Sequence, residues 1–137
     1  MQYSIADTES FHPVIGAEIK GHCELPVDLI FVPDIAEWAA SRCGNLIGNP
    51  VAMAVRDGAT KGAGILIRQS IDESQVDSIL SRMEFGGFDH ARAILSSPEK
   101  FMRHLVLHEL AHLINNWGQD REDDCDEWAF ERLGARA

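Results

Sequence analysis

The feature that most constrains the fold is one long helix predicted over residues 98–116, because apolar positions cover most of its circumference. The preceding "SSPEKF" carries helix-start signals: a serine at the cap, Pro98 at an early helical position, and Glu99 three residues after Ser96. Two sides of the helix are then apolar, the first carrying Leu107, Leu110, Ala111 and Ile114 and the second Phe101 and Leu105. A helix with so much apolar surface is expected at the centre of the fold.

The first half of the chain predicts strands. "VDLIFV" (27–32) is a short apolar run rich in β-formers, as in a buried strand. "VAMAV" (51–55) and "ILIRQSI" (65–71) flank the glycine-rich segment 56–64. This arrangement predicts a β-hairpin with a long connection.

The remaining segments predict further helices. Helical spacing occurs at 33–42, at 72–83 after a capping residue, at 89–97, and in the closing "DDCDEWAFERL" (123–133). Residues 1–24 are weakly patterned, and we expect an irregular or helical lead-in there. The order of elements predicts an α+β fold, with strands in the first half and helices in the second.

Length and composition indicate one domain, 1–137, with a core of its own. The formal net charge of −10 argues against non-specific nucleic-acid binding and suits basic protein partners. Cys23, Cys43 and Cys125 are odd in number and widely spaced, so we interpret them as free thiols in a reducing compartment. The sequence has no signal-peptide pattern and no apolar run of membrane-spanning length, which predicts a cytoplasmic protein.

The predicted central helix carries the motif HExxH as His108, Glu109 and His112. Residues four apart lie on one face of a helix, where two imidazoles can hold one zinc ion. Glu109 sits at the edge of that face, where its carboxylate can reach water polarised by the metal. The motif therefore predicts a Zn²⁺ site with Glu109 as general base.

The alternative interpretation is that two histidines lie on this helix by chance and form ordinary hydrogen bonds. Uncompensated polar groups at three positions of a buried helix would be costly, and this context favours zinc. His104 lies one turn before the motif and is rotated away from the helix face that carries the ligands. We expect His104 to be structural or to support a ligand, with a place beside the substrate as the second option.

A catalytic zinc site usually has three protein ligands and an open position. Seven acids after the motif are candidates for the third ligand: Asp120, Glu122, Asp123, Asp124, Asp126, Glu127 and Glu131. The apolar pattern of the last helix places Glu122 and Asp126 on its inward side. Most of the other acids tend outward, where they favour the helix N-terminus through its dipole. Asp120 stays open as the runner-up.

HELAH followed by "EDDCDEWA" resembles the gluzincin pattern HExxH…ExxA(N/D)xFA of ImmA/IrrE-type metallopeptidases. The resemblance covers residues 101–133. It implies a minimal zincin-like domain, in which a small antiparallel or mixed sheet precedes a helical half with the HExxH helix. The chain departs from the pattern in the short spacing between the motif and Glu122, and in Cys125 and Trp128 at the usual alanine and phenylalanine.

The resemblance also implies roles for individual residues. The implied zinc ligands are His108, His112 and Glu122, with Glu109 as the catalytic base. Asp126 would bond to the second ring nitrogen of a ligand histidine and so fix its tautomer.

Substrate binding is less defined by the sequence. The strand 65–71 resembles the edge strand that flanks the substrate in this family, so we expect a substrate to add to it as a further strand. Zinc peptidases also use a cationic or hydroxyl group beside the developing oxyanion. Five residues stay open for that role: Tyr3, His22, His90, His104 and Arg68.

The resemblance implies a small cytoplasmic zinc metalloendopeptidase that cleaves a specific regulatory protein, for instance a transcriptional repressor. The main alternative is a non-catalytic, zinc-containing module whose acidic surface sequesters a basic protein partner. A third reading is zinc-dependent hydrolysis of a non-peptide substrate. Neither direct nucleic-acid binding nor a membrane partner is expected.

Overall fold

The computed structural model describes residues 3–42, 50–56 and 62–134. In chain order, this part contains α1 (His12–His22), β1 (Val27–Val32), α2 (Ile35–Ala40), β2 (Ala52–Arg56), β3 (Ala63–Arg68), α3 (Glu73–Phe85), α4 (Ala91–Ile94), α5 (Pro98–Asn115) and α6 (Glu122–Arg132). Short 3₁₀ turns precede α1 and α6, at Thr8–Phe11 and Gln119–Arg121. The fold is mixed α+β, as predicted, although α1 already stands before the first strand.

The three strands form one mixed sheet in the order β1–β3–β2. β1 runs parallel to β3, with Val27 opposite Ala63, and β2 runs antiparallel to β3, with Ala52 opposite Ile67. The predicted hairpin of β2 and β3 is confirmed, and residues 57–61 of its connection lie outside the described part. Beyond β3 the chain makes one further bridge, between Ile5 and Ile71.

The expectation that 65–71 forms an edge strand is wrong. β3 is the central strand and is hydrogen-bonded on both sides, so β1 and β2 are the outer strands of the sheet that the described residues form. Its consecutive buried residues Ile65, Leu66 and Ile67 fit this central place. The pairing of β1 with β3 joins segments more than thirty residues apart, which local sequence patterns do not encode.

The central helix is confirmed. α5 begins at Pro98, is capped by Ser97 rather than Ser96, and ends at Asn115; the next residue, Asn116, has a left-handed φ of 54°. It packs against α1, α6 and β2. Buried positions occur on nearly every turn: Phe101, Met102, His104, Leu105, Val106, Leu107, His108, Glu109, Leu110, Ala111 and Leu113. His108 and Glu109 of the motif therefore lie inside the protein.

Of the other helices, α2 packs against β3, and α3 and α4 pack against each other. α3 starts with a capping box between Asp72 and Gln75 and buries Val76, Leu80 and Met83. α4 is a single turn, shorter than the predicted 89–97, whereas α6 matches its predicted range within a residue. In the described segments no helix combines the length and apolar character needed to cross a membrane.

Candidate metal centre

The two motif histidines lie one turn apart on the face of α5 that meets α6. Their ring centroids are 5.2 Å apart, and the rings are nearly perpendicular. His108 is buried and His112 is partly exposed. α6 brings Glu122 and Asp126, which are four residues apart on its inward side, against these rings.

Each histidine has its Nδ1 engaged by an acceptor. His108 Nδ1 lies 2.7 Å from Asp126 Oδ1, and His112 Nδ1 lies 2.8 Å from the carbonyl oxygen of Trp117. A carbonyl oxygen only accepts, so the proton on the His112 ring resides on Nδ1. The carboxylate of Asp126 imposes the same tautomer on His108 when that ring is neutral. Both Nε2 atoms are therefore the ones available as metal ligands.

Both Nε2 atoms converge on one carboxylate. Glu122 Oε2 lies 2.6 Å from His108 Nε2, and Glu122 Oε1 lies 3.1 Å from His112 Nε2. The Glu122 carboxylate thus bridges the two rings. α5 and α6 bring together the three groups that the family resemblance implies as zinc ligands.

The electrostatics of this cluster favour a compact, charge-paired arrangement. Burial alone would lower the pKa of His108, but its hydrogen bonds to Asp126 and Glu122 prevail and raise the pKa to about 10. The bond to Glu122 also raises the pKa of His112. Burial opposes ionisation of Glu122, but the two histidines hold its pKa well below the usual range. A metal ion would replace protons on these imidazoles, a replacement typical of ligand sets in proteins.

Glu109 is placed between the histidines and the sheet. Its Oε1 accepts the backbone N–H of Ala54 in β2 at 2.9 Å, and its Oε2 lies 3.8 Å from His108 Nε2. Burial raises the pKa of Glu109, because the charged carboxylate is poorly solvated there. One oxygen is thus anchored to the sheet while the other faces the ligand nitrogen, a suitable position for a general base.

Cys125 is the residue of this centre that sequence reasoning missed. We interpreted it as a free thiol and did not count it among the candidate ligands, but one ligand atom each from His108, His112 and Cys125 lie within 4.8 Å of one another. The side chain is fully buried, and burial together with nearby carboxylates raises the pKa of the thiol to about 12. Its place three residues after Glu122, on the same helix face, was the available sequence signal.

Two residues of α6 lie close enough to the histidines to be the third ligand. Glu122 approaches both Nε2 atoms, at 2.6 Å and 3.1 Å. Cys125 contributes to the group of three ligand atoms within 4.8 Å of one another. Asp120 lies on the exposed 3₁₀ turn before α6. The outward acids Asp123, Glu127 and Glu131 are exposed as well.

His104 lies behind the ligand histidines. It is 1% exposed, its ring packs against Phe130 at 4.4 Å between centroids, and its Nε2 is 3.6 Å from Asp126 Oδ1. Burial lowers the pKa of His104 to about 3, so the ring stays neutral. Within the described residues its Nε2 has no hydrogen-bond partner. This burial leaves His104 almost no surface to offer a substrate.

A cleft of about 840 Å³ opens over the histidines. It is lined by β2, α3, α5 and the start of α6, including Arg56 and Arg82. Of the five residues held open for the oxyanion role, only the buried His104 reaches it. Tyr3 instead donates to the carbonyl of Leu95 on another side of the core.

No protein-family model, curated protein or solved structure matches this chain. A functional inference therefore depends on the arrangement of these side chains.

Proposed function

We propose that this protein is a zinc-dependent metallopeptidase in which His108, His112 and Glu122 hold the metal and Glu109 is the general base. The observation that carries the proposal is the convergence of both Nε2 atoms on Glu122 while both Nδ1 atoms are engaged by acceptors. This is the donor chemistry of a His₂Glu zinc site.

Zinc bound there would supply a Lewis acid that polarises the scissile carbonyl and lowers the pKa of water. Glu109 takes a proton from the attacking water and returns it to the leaving amine. Its raised pKa suits both tasks, because a carboxylate that is too acidic would hold the proton too weakly. Asp126 holds His108 in the tautomer that presents Nε2.

The substrate strand is best assigned to β2. β2 is an edge strand and lines the cleft, and the Ala54 N–H points away from β3, towards Glu109. By the alternation of an antiparallel ladder, the backbone groups of Ala52 and Arg56 also face that side. An extended peptide adding to this edge would lie across the base. By the ImmA/IrrE resemblance, the substrate would be a regulatory protein of the cytoplasm, such as a repressor.

A second candidate function rests on Cys125. If its thiolate ligates together with His108 and His112, Glu122 would complete four protein ligands. A site closed in this way is structural rather than catalytic. The protein would then be an acidic module that uses zinc for stability and binds a basic partner.

Metal analysis and cobalt spectroscopy separate the two candidates. Protein purified without a metal-affinity tag should hold one zinc per chain. Cobalt-substituted protein should lack the strong near-ultraviolet band of a sulfur ligand, and Cys125→Ser should leave its visible spectrum unchanged. Glu122→Ala should abolish tight binding, and Asp120→Ala should not. Cys23→Ser is the matched thiol control, since Cys23 caps the C-terminus of α1 and is not among the described residues that line the cleft.

Turnover is tested with Glu109→Gln. We expect this variant to keep its zinc. Its rate of cleavage of a denatured protein mixture should fall by a factor of about 10³ or more, because it lacks the base. New peptide N-termini, counted by mass spectrometry, are the readout. Two results together would favour the structural module. One is a charge-transfer band of the cobalt-substituted wild type that disappears in Cys125→Ser, and the other is a wild type that shows no cleavage.

A further inference from the structure

Among the described residues, the cleft contains one arginine that is held by ion pairs alone, without a side-chain hydrogen bond. Arg82 projects from the last turn of α3, and its side chain is 47% exposed. Its Nη1 lies 3.6 Å from Glu122 Oε2, and its Nη2 lies 3.7 Å from Asp126 Oδ2. Both separations are longer than a hydrogen bond, so the guanidinium is held near these acids by charge alone.

The other arginine of the cleft differs in this respect. Arg56 donates to the carbonyl oxygen of Leu113 and so ties β2 to the end of α5. Elsewhere Arg92 binds Asp77 and Glu84, and Arg121 binds Asp124. Among the described residues that line the cleft, Arg82 is the arginine left to meet a ligand.

We propose that Arg82 binds the oxyanion that develops on the substrate carbonyl, a role that rests on the proposed peptidase function. Arg82 Nη1 and His108 Nε2 both approach the same atom, Glu122 Oε2, at 3.6 Å and 2.6 Å respectively, so the guanidinium lies close to the proposed ligand nitrogen. A planar cation with several donors suits a tetrahedral oxyanion. The base comes from α5 beside β2, whereas this cation comes from α3.

A structural role makes a different prediction. If Arg82 only orients Glu122 and Asp126, removing it would loosen both and weaken zinc binding. If it serves the oxyanion, removing a cation from the neighbourhood of Zn²⁺ would leave zinc affinity unchanged or increase it, because like charges repel. Zinc affinity therefore separates the two roles without any substrate.

The test uses inorganic phosphate as a small tetrahedral oxyanion, titrated into cobalt-loaded protein and followed by the visible spectrum. We expect Arg82→Gln to weaken phosphate binding about 10-fold or more. The phosphate affinity of Arg82→Lys should lie between those of Arg82→Gln and the wild type, because lysine keeps the charge but lacks the planar guanidinium with its paired donors. Acetohydroxamate, which requires only the metal, should bind all variants alike. Arg121→Gln is the matched control: it removes the same charge from an exposed arginine paired with Asp124.

The proposal would be overturned by unchanged phosphate affinity in Arg82→Gln, by wild-type protein that binds acetohydroxamate but no phosphate, or by a parallel loss of zinc affinity. In each of these outcomes the metal site itself stands. A wild-type protein that binds no metal would instead remove the proposed function, and the inference with it. The two failures are thus distinguishable by the metal content of the wild type.

Discussion

At the scale of single residues, the proposed centre includes one buried carboxylate, Asp126, that contacts a proposed ligand instead of serving as a ligand itself. Asp126 is 1% exposed and lies 2.7 Å from His108 Nδ1. Partners of this kind fix the ring and increase the basicity of the ligand nitrogen, and their loss commonly reduces metal affinity 10- to 100-fold.

Asp126→Asn tests that contribution. The amide oxygen can still accept from His108 Nδ1, but the charge is gone, so we expect zinc affinity to fall about 10-fold with little change in fold. Isothermal titration with a competing chelator is the measurement. Asp123→Asn, on the exposed side of the same helix, should bind zinc as the wild type does. Equal affinities for the two variants would contradict the role of Asp126.

Tyr3 gives a pH-dependent prediction away from the centre. Its hydroxyl donates to the carbonyl of Leu95 at 2.7 Å, and burial raises its pKa to about 12. The native state therefore keeps the phenol protonated where the unfolded chain, at the ordinary value near 10, loses the proton. The stability that Tyr3 contributes is full below pH 10 and is lost as the pH rises towards 12.

Comparing Tyr3→Phe with the wild type isolates this contribution. Below pH 10 the wild type should be more stable by about 1 kcal/mol, the usual net contribution of such a hydrogen bond. The difference in the free energy of unfolding between the two proteins should decrease between pH 10 and pH 12. Urea unfolding at several pH values measures it, and a difference that stays constant over that interval would show that the phenol titrates alike in both states.

At the scale of elements, the sequence was most informative where local signals agree. α5 has a cap, a proline at its start, an apolar majority and a left-handed end, and its bounds are accordingly close to the prediction. The inward side of α6 was predicted as well, since period and acid spacing gave the same face. The central place of β3 was not predicted, because it depends on pairing with β1, which is distant in sequence. Cys125 was missed because a small buried thiol has the same pattern as a packing residue.

The edge strand β2 and the base are joined by a single backbone hydrogen bond, from Ala54 N–H to Glu109. A bond to the charged carboxylate favours ionisation, so removing it should raise the pKa of Glu109 further. Ala54→Pro removes that N–H, on an edge where proline costs no ladder bond. We expect the acid limb of the pH–activity profile to move to higher pH, with zinc content unchanged.

Ala52→Pro is the matched control for this substitution. It lies on the same strand with its backbone on the same side, but it is not bonded to Glu109. The acid limb of the pH–activity profile of Ala52→Pro should coincide with that of the wild type. A shift of equal size in both variants would show that proline perturbs the strand as a whole rather than the base.

At the scale of the whole molecule, the proposed metal would connect α5 with α6. His108 and His112 belong to α5, whereas Glu122 belongs to α6, and a tight turn of a few residues connects the helices. A ligand that binds only the native state stabilises it by RT ln(1 + [L]/Kd), about 2.7 kcal/mol when free zinc is 100 times Kd. For a domain of this size such a gain corresponds to a rise of several degrees in Tm.

Removing the metal should therefore destabilise the protein without unfolding it. The core buries residues from α1, the sheet and all the longer helices, so the metal-free chain has enough apolar contact to stay folded. We expect chelation to lower Tm by several degrees and added zinc to restore it, as measured by calorimetry. In Glu122→Ala the chelator should change Tm little, because the third ligand is already absent. A metal-free protein with no cooperative transition would mean that zinc forms the fold itself, which is the behaviour of a closed structural site rather than of the open catalytic site proposed for this chain.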